Sequence, residues 1–220
     1  MEADSIPYLH SRSLLTAEDA AAILDNCERS ELAFAPWHTT GNRPYASFSI
    51  AYSNDAIYLK YYVTEDALRA QYSKFNDPVF EDSCVEFFIA FNDDAQYYNL
   101  EFNCMGTSRV QYGAHKTGRI FIPAALLKNI KHQTLIKSKV PGNVQWELTL
   151  CIPKQVFMYH PALSFAHSRA RVNFYKCGDG LPVPHFLCWN NIKADVPEFH
   201  LSQFFRDVTF GKQLINNDKN

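Results

Sequence analysis

Residues 77–103 read DPVFEDSCVEFFIAFNDDAQYYNLEFN, and the fold is decided by how this stretch divides. The runs at 84–91 and 96–104 are rich in aromatic and β-branched residues. Asn92, Asp93 and Asp94 between them are turn formers, so the stretch reads as two strands joined by a turn. Inside the first strand stands one carboxylate, Glu86. The second carries Asn99, Glu101 and Asn103 at a spacing of two, which puts all three on one face. A charge in a strand is costly to bury without a partner, so this polar row calls for either an internal ion-pair network or a ligand.

Outward from this pair, the period of two recurs along the chain. Residues 45–52 alternate Ala46, Phe48, Ile50 and Tyr52 with smaller polar groups. After Asn54-Asp55, the run AIYLKYYV places Ile57, Leu59, Tyr61 and Val63 on one face, which predicts a hairpin. Further strands are expected at 107–112, 119–122, 134–140 and 144–153, then at 171–177 and 207–210. A long connection at 64–82, with a helical turn over 65–72, delivers Phe80, Glu81 and Asp82 to the mouth of the strand at 84. The Trp37 and His38 loop at 34–44 plugs an end of the core or meets a ligand.

Residues 1–15 read as an irregular lead-in. Thr16 opens a short helix: it can cap, Glu18 and Asp19 favour the positive end, and Ala20, Ile23, Leu24 and Cys27 form one apolar stripe. Turns of helix are expected at 154–158, and the tail beyond Gln213 is expected to fray. With no repeat or linker, residues 1–220 read as a single antiparallel β-sandwich with a short N-terminal helix, its core spanning about 37–210.

A chain of 220 residues buries roughly 70% of the surface its unfolded form exposes, so the fold needs neither metal nor disulfide. Net charge is −2 with no basic block, which removes the electrostatic basis for nucleic-acid binding. No apolar run has the length of a membrane span. The N-terminus MEADSIPYLH lacks a charged-then-apolar leader, so the chain reads as cytoplasmic, or as exported had a leader been removed. None of the six cysteines forms a CxxC, and most lie among apolar strand residues, which argues against zinc or redox chemistry and for free buried thiols acting as small hydrophobes. A Cys177–Cys188 bridge fits only an exported protein. His and Met placement does not suit haem.

Twelve Tyr, seventeen Phe and three Trp are the compositional anomaly. Strands use aromatics, and so do surfaces that stack on flat ligands. Three polar or aromatic sets stand out. These are Glu86 with Asn99 and Glu101; Arg171, Asn173 and Tyr175; and Phe80 with Trp189, the latter beside His185, Asn190 and Asn191. A pyranose explains the combination, because it rests an apolar face on an aromatic ring while its hydroxyls need several donors and acceptors. The alternatives are an internal network of Glu86, Glu101 and Arg171, a glycosidase using Glu86 and Glu101 as acid and base, and a sandwich that binds a protein partner. Asp77, Asp82, Asp93 and Asp94 could furnish oxygen ligands for calcium, or be solvated turn acids.

The order DSCVEFFIAF, YYNLEFN, WELTLCIP, RVNFYKCGDG, HFLCWNNI and FHLSQFF resembles the carbohydrate-binding module family 9-like group, within the DOMON-like β-sandwiches of jelly-roll type. The resemblance runs from about Trp37 to Phe210. It implies non-catalytic binding of an oligo- or polysaccharide of β-1,4-linked glucose or xylose, as in modules attached to xylanases. It also implies a sugar sandwiched by two aromatics, at Phe80 and Trp189. Glu86 matches the acid that contacts sugar hydroxyls, and Asn190, Asn173 and Arg109 match less closely. Structural calcium is implied as well.

Overall fold

The computed structural model describes residues 4–11, 13–38, 42–140 and 142–215. The strands are β1 (Asp4–Leu9), β2 (Ser30–Glu31), β3 (Tyr45–Tyr52), β4 (Ala56–Glu65), β5 (Cys84–Phe91), β6 (Tyr97–Asn103) and β7 (Ser108–Gly113). They continue with β8 (Ile120–Phe121), β9 (Lys131–Val140), β10 (Asn143–Pro153), β11 (Arg169–Cys177), β12 (Phe186–Cys188) and β13 (Arg206–Ile215). Helix α1 covers Ala17–Leu24, and a four-residue α2 covers Ala124–Leu127. No helix among the described residues is long and apolar enough to cross a membrane.

Hydrogen bonding runs in the order β8-β7-β6-β5-β11-β13-β1-β3-β4-β10-β9, with β12 on β11 and β2 on β3. The sheet curls so that β5, β6, β7 and β11 face β3, β4 and β10. The alternating residues anticipated for each strand form the interior, where Phe87, Ile89, Leu100, Phe102 and Phe174 meet Phe48, Leu59, Tyr61, Trp146 and Leu148. Phe48 stacks on Phe174 with centroids 3.8 Å apart, and the Tyr61 hydroxyl donates to the Glu86 carbonyl at 2.6 Å across the layers. One ion pair also spans them: Lys176 Nζ lies 2.9 Å from Glu65 Oε2, and Trp146 Nε1 donates to Glu65 Oε1 at 2.6 Å.

Three expectations are corrected. The sheet is mixed, because residues 4–9, expected to be irregular, form β1, which runs parallel to both β13 and β3. Its sequence has too few alternating apolar residues to announce a strand; Ile6 and Leu9 alone are buried there. Because β1 supplies a partner, β13 continues to Ile215, past the point where fraying was expected; residues 216–220 lie outside the described residues. The stretch at 65–72 is not helical. Glu65 ends β4, and the Gln71 and Tyr72 amides instead donate to the Asp82 carboxylate.

Helix α1 is capped as predicted, Thr16 accepting from the Asp19 amide at 3.1 Å. It lays Ala17, Ala20 and Leu24 against Ala51, Ala56, Tyr58 and Cys151, on the outer surface of β3, β4 and β10. The outer surface of β5, β6 and β11 is covered differently. The segment after β11 folds back over it, seating Ile192, Phe199 and Phe205 on Phe88, Tyr97 and Tyr175. Both faces of β5 are therefore buried, which is why its sequence reads as a continuous apolar run.

Candidate functional site

The polar row at Glu86 lies on that second, outer surface. Register places Tyr175, Glu86, Glu101 and Arg109 directly opposite one another across β11, β5, β6 and β7. Side chains directly opposite on neighbouring strands stand about 4.5–5.5 Å apart at Cβ, so the two carboxylates are immediate neighbours. Burial raises the Glu86 carboxyl well above the ordinary range, and the facing Glu101 raises it further. Burial also raises Glu101, opposed by Arg109, Asn99 and Arg119. The pair thus resists carrying two charges at neutral pH.

Above this row opens a cleft of about 410 Å³. Its floor is Glu86, Glu101, Arg109, Gln111 and Cys177; Phe80, Phe186 and Phe199 line it, with Lys116, Asp179, Glu198 and His200 at its edges. Phe80 sits on the 3-10 turn Val79–Glu81. That turn is laced to the loop after β11, whose Asp179 and Gly180 amides donate to the carbonyls of Phe80 and Glu81. A Cβ on Gly180 would meet the Glu81 carbonyl oxygen at 2.7 Å, so only glycine permits this approach.

Arg109 is held by a hydrogen bond from its Nη1 to the Asn76 carbonyl at 2.9 Å, and it lies over Phe121 at 4.8 Å and Phe80 at 5.8 Å. Its Nε stands 3.7 Å from Glu101 Oε2, too far for a hydrogen bond. Both atoms are buried, and among the described residues neither has a hydrogen-bond partner. The other oxygen of Glu101 accepts from Asn99, whose own carbonyl accepts from Arg119 Nε at 2.8 Å. Arg119 also donates to the carbonyls of Tyr97, Gly113 and His115, clamping the β7–β8 loop. This brings Lys116 to Glu198, 2.9 Å away, at the cleft edge.

Of the eight residues anticipated for a ligand, Phe80, Glu86, Glu101 and Arg109 converge here, and Asn99 supports Glu101 from beside it. Three do not join them. Asn173 is fully buried and satisfied: it donates to the Asn190 carbonyl at 3.0 Å and accepts from the amides of Phe174 and Asn190. Asn190 donates to the Phe204 carbonyl at 2.8 Å. The two asparagines tie the late loop to β11. Trp189 lies on the other side of the sheet, edge-on to Phe48 and Phe174, and lines a separate cavity with Arg206. The expected Phe80–Trp189 sandwich is therefore not formed; alternation sends the Trp189 side chain toward the interior layer, where Phe174 receives it. Phe186 and Phe199 occupy the place it was expected to fill. Neither was anticipated, since their positions depend on how an irregular segment folds back. Trp37, expected as a plug or a contact, packs behind them on Phe186 and Phe199 and donates to the Ala194 carbonyl.

The four acids considered for calcium do not assemble a three-ligand group among the described residues. Asp82 is fully buried and accepts from Gln71, Tyr72 and Asn103. Asp77 accepts from the Lys74 amide, Asp94 from Tyr112 and Gln96, and Asp93 is exposed near Arg169. These residues do not fit a calcium cage. All six cysteines are free, and Cys188 stands opposite Tyr175, not Cys177, so the contemplated bridge is not made.

Comparison with solved structures agrees with the fold. A crystal structure of a candidate carbohydrate-binding protein from Bacteroides uniformis ATCC 8492 is 33% identical, with a TM-score of 0.87 over 96% of this chain and all of that one. Two structures of a carbohydrate-binding module family 9 from Caldicellulosiruptor kristjanssonii share the fold at much lower identity. The one in complex with cellotriose has 10% identity and a TM-score of 0.56, covering 99% of this chain and 98% of that one. The one in complex with glucose has 11% and 0.57, covering 96% and 98%. No curated protein matches the chain. The model of carbohydrate-binding family 9 matches residues 17–210, and the chain belongs to that family.

Proposed function

We propose that the protein is a non-catalytic carbohydrate-binding protein whose cleft takes a β-1,4-linked glucose or xylose oligosaccharide. Carbohydrate binding is supported by family membership, and the preference for a glucan by the relatives bound to cellotriose and glucose. The observation that carries the reading is the unpaired couple on the cleft floor, Glu101 Oε2 and Arg109 Nε. A buried acceptor and a buried donor left without partners cost about 1–3 kcal/mol each. A sugar carries vicinal hydroxyls that donate and accept at once, so one diol satisfies both atoms. The pyranose face then rests on Phe80 or Phe186, both half-buried at the cleft wall.

A hydrolytic role has less support. Glu86 and Glu101 are adjacent on one sheet face, whereas a glycosidase sets its carboxylates on either side of the bond it breaks. The test is calorimetric titration with cello- and xylo-oligosaccharides, before and after borohydride reduction of their ends, with reducing-sugar release followed in parallel. Saturable binding without release is expected, and binding lost on reduction would place a chain end in the cleft. Silence across a broad glycan panel would overturn the reading, and release of sugar stopped by Glu86→Gln would replace it with hydrolysis.

A further inference from the structure

Beneath the same cleft lies a group of side chains that sugar recognition does not require. Cys84 on β5 and Cys177 on β11 are directly opposite in the antiparallel pairing, and Glu86 follows Cys84 by two residues. All three therefore project from the outer face. Their ligand atoms lie within 4.8 Å of one another, and the Cys177 thiol donates to Glu86 Oε1 at 3.0 Å. Among the described residues no other three His, Cys, Asp or Glu side chains converge in this way.

We infer that Cys84, Cys177 and Glu86 form a binding site for a thiophilic divalent cation of the zinc class. Tetrahedral zinc holds sulfur at about 2.3 Å and oxygen at about 2.0–2.2 Å, which sets neighbouring ligand atoms roughly 3.5–3.8 Å apart. The three ligand atoms, all within 4.8 Å of one another, stand close to that spacing, so side-chain rotation is the adjustment that closes the site. Two sulfurs and one oxygen select zinc over calcium or magnesium, which demand oxygen cages. Cys177 and Glu86 also line the cleft, so the fourth coordination position opens there, the pattern of a metal that keeps an exchangeable ligand.

Charge points the same way. Glu86 is 4% exposed and has Glu101 directly opposite, and like charges in that relation repel. Among the described residues, the one hydrogen bond its carboxylate accepts comes from a thiol, a weak donor. Metal binding displaces the protons of the Cys84 and Cys177 thiols and of the Glu86 carboxyl to solvent, and the dication supplies the counter-charge for the anions so formed. Cys84 and Cys177 share with the other buried thiols a weak contact to a backbone carbonyl, as Cys104 makes to Arg69 and Cys151 to Thr16, and differ from those two in belonging to a ligand cluster.

The experiment uses the full chain, reduced and stripped with chelator, titrated with Co²⁺ in the absence of sugar. One equivalent should bind with thiolate-to-cobalt charge-transfer absorption, and Zn²⁺ should displace it. Losing a supporting group beyond the ligands costs a metal site about 10–100-fold, so Cys84→Ser and Cys177→Ser should each weaken binding by about a hundredfold or more, while Cys27→Ser leaves it unchanged. If a serine variant misfolds by circular dichroism, the zinc K-edge spectrum of the unaltered chain decides: two sulfur scatterers support the site. Oxygen and nitrogen scatterers alone, or no stoichiometric binding, overturn it. Because no sugar is present, failure here leaves the carbohydrate reading standing, and a glycan panel that fails leaves the metal site standing.

Discussion

Two buried acids near β11 meet opposite fates. On the inner face, Glu65 at 2% exposure faces Lys176 at 0%. Lys176 Nζ also donates to the Cys177 carbonyl at 2.7 Å and to His185 Nε2 at 2.8 Å, while Trp146 donates to the other Glu65 oxygen. Burial and the adjacent Lys176 push the His185 imidazole down to about 3, so it stays neutral and accepts. Glu65 Oε2 makes no hydrogen bond among the described residues, but the Lys176 ammonium 2.9 Å away supplies its counter-charge, so the network is charge-balanced within the fold. On the outer face, Glu86 and Glu101 sit side by side, and among the described residues no basic group donates a hydrogen bond to either; Arg109 Nε stands 3.7 Å from Glu101 Oε2. The first acid has a counter-charge at contact distance; the second leaves Glu101 Oε2 and Arg109 Nε unpaired on the cleft side. Equal burial therefore says little about role, and the distance to a counter-charge says more.

The largest effect expected is at the charge-balanced network. Glu65→Leu strands a buried ammonium, and removing one partner of such a pair costs about 3–5 kcal/mol. Urea unfolding should show that loss, with sugar affinity of the folded fraction nearly unchanged. Glu101→Gln should do the reverse. It relieves the repulsion with Glu86, leaving stability within about 1 kcal/mol of the parent, but removes a charged acceptor from the cleft at a cost of about 1.5–3 kcal/mol in binding. Calorimetry would read this as a tenfold or greater loss of affinity. If Glu101→Gln instead destabilised the fold as strongly as Glu65→Leu, the outer cluster would be a brace like the inner one.

The difference between the two clusters also marks what was legible in the sequence. Period-two alternation located β3, β4, β5, β6, β10 and β11 and their inward residues, because half of each strand must face a core. The same rule put Glu86, Asn99 and Glu101 on one face once the strands paired, whereas Arg109 entered only through the family resemblance. It did not reveal the Lys176–Glu65 pair, since strands β4 and β11 lie in opposing layers and no local pattern records which residues meet across a core. Nor did it reveal β1, whose parallel neighbours β3 and β13 both lie far along the chain from it. Phe186 and Phe199 were hidden for a third reason: Phe186 stands on β12, too short at three residues to show a period, and Phe199 lies in the irregular segment after it, which is placed by packing of Phe199 on Tyr175 and by hydrogen bonds from Asn173 and Asn190.

Acid should separate the clusters through their histidines. His200, at the cleft edge, is pushed down to about 3 by burial and by Arg119, Lys116 and Arg109, and it shares a 2.9 Å hydrogen bond with the Tyr97 hydroxyl. An unfolded histidine titrates near 6.5. Below that pH the unfolded chain binds a proton the folded chain refuses, so this contribution to stability is full above about 6.5 and falls as pH drops toward 3. At pH 5 the loss amounts to up to about 2 kcal/mol for each such histidine. The raised carboxyls of Glu86 and Glu101 act with the opposite sign, so the difference between parent and His200→Gln isolates the term. That difference should narrow from pH 7 to pH 5 in denaturant titrations; a pH-independent difference would mean that His200 is solvated.

The smallest effect tests the separation of Phe80 from Trp189. Trp189 is half-buried, with Phe48 and Phe174 at centroid distances of 5.9 and 5.6 Å and the Arg206 guanidinium 4.9 Å from its ring. Truncating a fully buried aromatic costs about 3–5 kcal/mol, so Trp189→Ala should cost the partly buried fraction of that, about 1–2 kcal/mol, with glycan affinity held within about twofold. Phe80→Ala, on the turn beside Asp179, should lower affinity about tenfold, in line with the ~0.5–1.5 kcal/mol of an aromatic contact beyond its area. The two rings occupy opposite sides of β11, so one ligand cannot touch both without the sheet between them opening. Affinity lost in Trp189→Ala with stability intact would therefore require the late loop to reorganise on binding, carrying Trp189 from its place on Phe174 to the cleft.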